Sequence, residues 1–98
     1  MTRHEIIRRI KAEEAALRSE GVEHLAIFGS RSRGDARPSS DLDVLIDIAP
    51  GVRFSLLNLS GVGLLIEDAT GLPTQVALRR SAPDALKQRI AEDLAPVF

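Results

Sequence analysis

The sequence predicts an α/β fold of the α+β kind. Residues 1–98 are expected to form a single domain, a small mixed or antiparallel sheet with helices packed on one face, in the order α-β-β-α-β-α. Three observations predict it. Leu42, Val44, Ile46 and Ile48 alternate with Asp41, Asp43, Leu45 and Asp47, the period-two pattern of a strand. Two further short apolar runs, 23–28 and 74–78, are bounded by turn residues. Apolar residues at helical spacing occupy both ends of the chain and its middle.

Taken in order, Thr2 and Glu5 have the spacing of a capping box, in which side chains serve free backbone N–H groups at a helix start. Ile6, Ile7, Ile10 and Leu17 then mark a helix that runs toward Gly21, a residue able to close it. Glu23–Phe28 reads as the first strand. The polar stretch Gly29–Ser40 holds two Gly, one Pro and four Ser, and reads as a loop with room for one helical turn. Leu42–Ile48 is the clearest strand, stopped by Pro50 and Gly51. The apolar segment from Phe54 to Ile66, continuing to Gly71, is too long for a strand and reads as a helix, although Gly61 and Gly63 each weaken it by about 1 kcal/mol. Its apolar residues are assigned to core packing, with a homodimer or partner surface as the other use for them. Thr74–Leu78 is the third strand. A last helix is expected from an Asp84 cap through Leu86, Ile90 and Leu94, closed by Pro96.

Composition narrows the function. The absence of Cys removes disulfide, zinc-thiolate and cysteine-nucleophile chemistry. A net charge of -1 argues against a strong general nucleic-acid binder. Three aromatics, Phe28, Phe54 and Phe98, are too few for a base-stacking platform. No apolar run has membrane-spanning length, and Met1 leads into a charged helical segment, so a cytoplasmic protein is expected. The cations are 11 Arg and two Lys, and Arg suits bidentate grips on phosphate.

The chemistry concentrates between residues 29 and 43. Asp41 and Asp43 share a strand face with Cα atoms roughly 6.6 Å apart, close enough to converge on one ion. Like charges so placed are costly without a cation between them. Mg²⁺ answers that need, since it takes one or two carboxylates together with substrate phosphates. Asp47 lies two strand positions further on, too far to join. Gly29 lets backbone approach a bulky anion, Ser30 offers a hydroxyl and an N–H, and Arg31, Arg33 and Arg37 add positive charge to the same loop. A carboxylate-held metal facing an N–H and Arg cradle is what phosphoryl or nucleotidyl transfer needs. Each element alone is commonplace; the combined string GSRSRGDARPSSDLDVLID is specific.

On Gly29-Ser30, Arg33-Gly34 and Ser40-Asp41-Leu42-Asp43, the chain resembles the nucleotidyltransferase superfamily that includes DNA polymerase beta. It looks most like the minimal, single-domain MNT branch, whose members act as antitoxins beside HEPN toxins. The resemblance extends over most of the chain. It implies that Asp41 and Asp43 are catalytic and coordinate Mg²⁺. It implies that Gly29, Ser30, Arg33 and Ser40 bind the nucleotide triphosphate, expected to be ATP, with Arg33 shaping the loop or touching phosphate. One departure stands out. Where active members carry a third acid on the following strand, this chain has Gly71-Leu72-Pro73-Thr74-Gln75, with Gln75 at the acidic position. Two functions follow: transfer of AMP to a hydroxyl, with a HEPN toxin as acceptor, or nucleotide-binding neutralisation of that toxin by direct contact.

Overall fold

The computed structural model describes all 98 residues, Met1–Phe98. In chain order the elements are α1 (Arg3–Lys11), α2 (Glu14–Ser19), β1 (Val22–Phe28), α3 (Ser30–Arg33), β2 (Leu42–Ile48), α4 (Leu56–Thr70), β3 (Thr74–Leu78), a 3-10 turn (Arg79–Ser81), α5 (Asp84–Ile90) and β4 (Ala95–Pro96). The sheet is four-stranded, in the order β3-β2-β1-β4. It is mixed: β1 is antiparallel to β2 and to β4, whereas β2 and β3 are parallel.

The two sheet faces have different cover, and that difference places the site. Leu25, Ile27, Leu42, Val44 and Ile46 point to one face and meet Ile6, Ile10, Leu17, Val62 and Ile66 of α1, α2 and α4 in the main core. On the other face a smaller cluster joins Phe28, Leu45 and Ile90, with Leu86 and Leu94 against it. The expectation of helices on one face therefore holds for α1, α2 and α4 but not for α5. Leu45 sits among the carboxylates of β2, and with Phe28 it forms an apolar patch that α5 removes from water.

Local sequence explains most of the boundaries. Thr2 caps α1 by accepting from the Glu5 amide at 3.2 Å, but Glu5 turns its own carboxylate to Arg9 at 2.8 Å, so the capping box is one-sided. The single helix expected up to Gly21 is two, because a tight turn at Ala12–Glu13 (Glu13 N–H to the Ile10 carbonyl, 2.9 Å) interrupts it. Ser55 and Asn58 form a reciprocal capping box that starts α4. Gly61 does not break α4, and its missing side chain serves packing: a Cβ there would lie 3.1 Å from the Glu20 carboxylate, which also accepts from Asn58 at 3.1 Å.

The C-terminal segment departs most from expectation. The last helix ends at Ile90, its N-cap is Pro83, and Asp84 occupies the first helical position, where its charge favours the helix N-terminus. Beyond it, Ala95 and Pro96 pair with Ile27 and Ala26 as a short edge strand. Proline is tolerated there because an edge residue can direct its missing donor to solvent. Val97 then donates to the Leu25 carbonyl at 2.8 Å and enters the core.

Not all of α4 serves the core. Leu56, Leu57 and Leu64 are 81%, 83% and 60% exposed, so the expected core role falls to Val62 and Ile66. Ile66→Ala should lose about 3 kcal/mol by cavity formation, and Leu57→Ala should stay within about 0.5 kcal/mol of wild type. Urea denaturation checks both, and equal losses would contradict this assignment of faces.

Candidate functional site

The strand β2 delivers the carboxylates. Asp43 lies in register with Phe28 of β1 on one side and Gln75 of β3 on the other. Asp41 immediately precedes the strand, and the Leu42 amide beside it is held by the Pro73 carbonyl at 2.8 Å. Alternation puts Asp41, Asp43 and Asp47 on the face that α5 partly covers. Asp47 is engaged elsewhere, with Arg79 at 2.8 Å, in keeping with its expected exclusion. Asp41 is exposed and meets only the Gln75 amide, at 3.4 Å. Asp43 is half-buried and has neither a hydrogen-bond donor nor an ion-pair partner. Burial, and secondarily the Asp41 charge, push its pKa up, while Arg33 opposes them.

Across from Asp43 stands the β1–α3 junction. Gly29 has φ 74° and ψ -158°, a conformation essentially confined to glycine. A Cβ at this position would lie 2.5 Å from an Asp43 carboxylate oxygen, so backbone and carboxylate meet only because the side chain is missing. The Gly29 carbonyl accepts from Ser32 and Arg33, each at 3.0 Å, which coils Ser30–Arg33 into a single turn. The Ser30 and Arg31 amides at its start have no backbone acceptor in the chain.

The three loop arginines part company. Arg31 is buried, and its guanidinium donates to the Ser40 carbonyl (2.9 Å) and the Pro38 carbonyl (3.3 Å), so it holds the loop that leads into Asp41. Arg37 lines a different cleft of about 670 Å³ with Arg3, Gly34 and Thr70. Arg33 alone reaches the carboxylate side, and it is bound by Asp35 at 3.0 Å and Asp93 at 2.8 Å. Ser40 does not line the site. Its hydroxyl accepts from the Arg37 amide at 2.9 Å, closing the turn before Asp41.

A cleft of about 390 Å³ gathers Gly29, Ser30, Arg33, Asp43, Arg89 and Asp93. Four of these were expected from sequence or its resemblance, with Asp41 beside them on the same strand face. Arg89 and Asp93 were not. A signal for them exists in retrospect: Leu45 and Phe28 needed apolar cover, and α5 was the element left to provide it.

No group of three His, Cys, Asp or Glu side chains converges anywhere in the chain. The donor set at the site is therefore two carboxylates, neither in an ion pair, with Asp43 lying against the bare Gly29 backbone. That suits a divalent ion that takes its remaining oxygens from a bound phosphate.

The sequence profile of the nucleotidyltransferase domain matches residues 7–97. The chain belongs to the nucleotidyltransferase domain family. It is 32% identical over 82 residues to a provisionally named protein adenylyltransferase of Methanocaldococcus jannaschii, covering 84% of this chain and 86% of that protein. It is 28% identical over 98 residues to the protein adenylyltransferase MntA of Thermococcus cleftensis, covering 99% and 97%. Among solved structures, a provisionally named minimal nucleotidyltransferase superposes with TM-score 0.81 at 26% identity, over 98% of this chain and 96% of that one. A chain from the complex of a tri-AMPylated Shewanella oneidensis HEPN toxin with its MNT antitoxin shares the fold, with TM-score 0.62 at 15% identity, over 90% and 68%.

For this nucleotidyltransferase domain, Gly29→Ala should lose about 2 kcal/mol of stability from the strained backbone and displace the Asp43 carboxylate; denaturation measures the first effect, and a loss near zero would contradict it. Asp43→Asn should act in the opposite direction. Because the folded-state pKa of Asp43 is raised, the cost of folding it ionised is absent in acid, where the carboxyl is protonated in both states, and complete once the pH exceeds the raised value. Without divalent ions, the Asn variant should melt at or above wild type at neutral pH, and the difference should vanish as the pH falls. A lower melting temperature at neutral pH would contradict this.

Proposed function

We propose that this nucleotidyltransferase domain binds MgATP in the Gly29–Asp43 cleft and transfers AMP to a hydroxyl on a HEPN-type toxin partner, releasing pyrophosphate. The observation that carries the proposal is the pair of uncompensated carboxylates, Asp41 and Asp43, set against the side-chain-free Gly29 and the open amides of Ser30 and Arg31. Asp41 and Asp43 would hold Mg²⁺, whose role when bound is to neutralise phosphate charge and orient the α-phosphorus. The amides of Ser30 and Arg31 would take phosphate oxygens, as free N–H groups at the start of a helical turn do. In the transfer the acceptor hydroxyl gives its proton to solvent, its oxygen bonds to the α-phosphorus, and the bond from that phosphorus to the bridging oxygen breaks, releasing pyrophosphate. The protein-adenylyltransferase names of the two relatives support a protein acceptor, and the Shewanella complex supports a HEPN toxin. The exposed Leu56, Leu57 and Leu64 give a protein partner apolar surface to meet.

Gln75 favours an alternative. Its amide faces Asp41 and stands in register with Asp43, where a third carboxylate would complete the acidic group. An amide oxygen can ligate a metal but is uncharged and a poor base. On that basis the domain would bind MgATP and neutralise the toxin by contact, with little transfer.

Incubation with α-labelled ATP, Mg²⁺ and the HEPN protein, beside the Asp41→Asn/Asp43→Asn variant, separates the two. Label on the toxin that disappears in the variant is the expected result. Absence of label while MgATP still raises the melting temperature would favour the alternative, and absence of both effects would contradict both.

A further inference from the structure

We propose that Arg89 is a phosphate-binding residue of the nucleotide site, a role that rests on the nucleotide-binding function proposed above. Charge balance in the cleft points to it. A triphosphate is more anionic than one divalent ion neutralises, and Asp41 and Asp43 add two carboxylates to the same face. The loop arginines do not supply the balance. Arg31 is buried and spent on the Pro38 and Ser40 carbonyls. Arg37 lines the other cleft. Arg33 is already shared between Asp35 and Asp93. Arg89 lines the cleft with Gly29, Ser30 and Asp43, and no carboxylate of the chain pairs with it.

Its backbone position is fixed by two contacts that follow it in the chain. Ile90, 4% exposed, anchors the last turn of α5 against Phe28 and Leu45. Just beyond, the Asp93 carbonyl accepts from the Ser32 hydroxyl, and its carboxylate holds Arg33 at 2.8 Å. The segment after α5 is thus tied to the one-turn helix that begins at Ser30, and Arg89 sits on the last turn of α5 immediately before these two anchors. Its guanidinium is planar and permanently charged, suited to bidentate contact with phosphate.

The test is titration calorimetry of MgATP and of Mg-tripolyphosphate, a probe without a nucleoside. The proteins are wild type, Arg89→Ala, Arg89→Lys and Arg53→Ala, the last changing an exposed arginine outside the cleft. Arg89→Ala should weaken both ligands by about tenfold or more, Arg89→Lys by less, and Arg53→Ala by less than about twofold. Melting curves of the unliganded variants should match wild type, since Arg89 is exposed. MgATP binding to Arg89→Ala within about twofold of wild type would overturn the role of Arg89 and leave the nucleotide site standing. Weaker MgATP binding with unchanged tripolyphosphate binding would also overturn it, placing Arg89 on the nucleoside. Failure of wild type to bind MgATP would overturn the nucleotide site and this inference together.

Discussion

An unresolved repulsion organises this protein. Asp41 and Asp43 share a face at the start of β2, Asp43 is half-buried, and neither is in an ion pair; Arg33 offsets the Asp43 charge only in part, and only the Gln75 amide reaches Asp41. Several other carboxylates are matched: Asp47 with Arg79, Asp93 and Asp35 with Arg33, Glu14 with Lys11 and Arg18. That exposed Asp41 and half-buried Asp43 stay outside any ion pair while these acids are matched is the observation on which the proposed cation site rests. The Asp43 carboxylate lies against the bare Gly29 backbone, and the amides of Ser30 and Arg31 that follow have no backbone acceptor, the half of the site proposed to meet phosphate.

The rest of the fold serves this juxtaposition. The main core under one face, built by α1, α2 and α4, fixes β1 and β2 and with them the register that sets Asp43 between Phe28 and Gln75. The other face is thinly covered by α5, and its uncovered end is the cleft. Arg31 works from inside, tying the loop to the carbonyls just before Asp41, so a residue that looked like part of a cationic cradle acts as a brace. Asp93 works from the C-terminal side, joining Ser32 and Arg33 to the segment after α5.

Much of this was legible in the sequence. The alternation in 42–48 sets the strand, its face and the separation of the two acids, because side-chain period alone determines them. Gly29 is expected from sequence to let backbone approach a bulky anion; the neighbour the structure gives it is the Asp43 carboxylate, which the sequence did not indicate. Individual loop side chains were not legible: spacing puts Arg31, Arg33 and Arg37 together, but burial sends them in three directions. Nor was β4, since two residues including a proline carry no alternation, and its pairing with Ala26 and Ile27 is a long-range event. Arg89 and Asp93 escaped for the same reason. They reach the site through topology, when α5 covers Leu45, and no local pattern records that.

The most direct measurement is amide NMR line broadening on titration with substoichiometric Mn²⁺ in the presence of ATP. The paramagnetic ion should broaden Gly29, Ser30 and the residues around Asp41 and Asp43 first, and the Asp41→Asn/Asp43→Asn variant should abolish that pattern. Broadening that begins at other acids, such as Glu14 or Asp68, or that survives in the double variant, would contradict a metal–nucleotide site at this face.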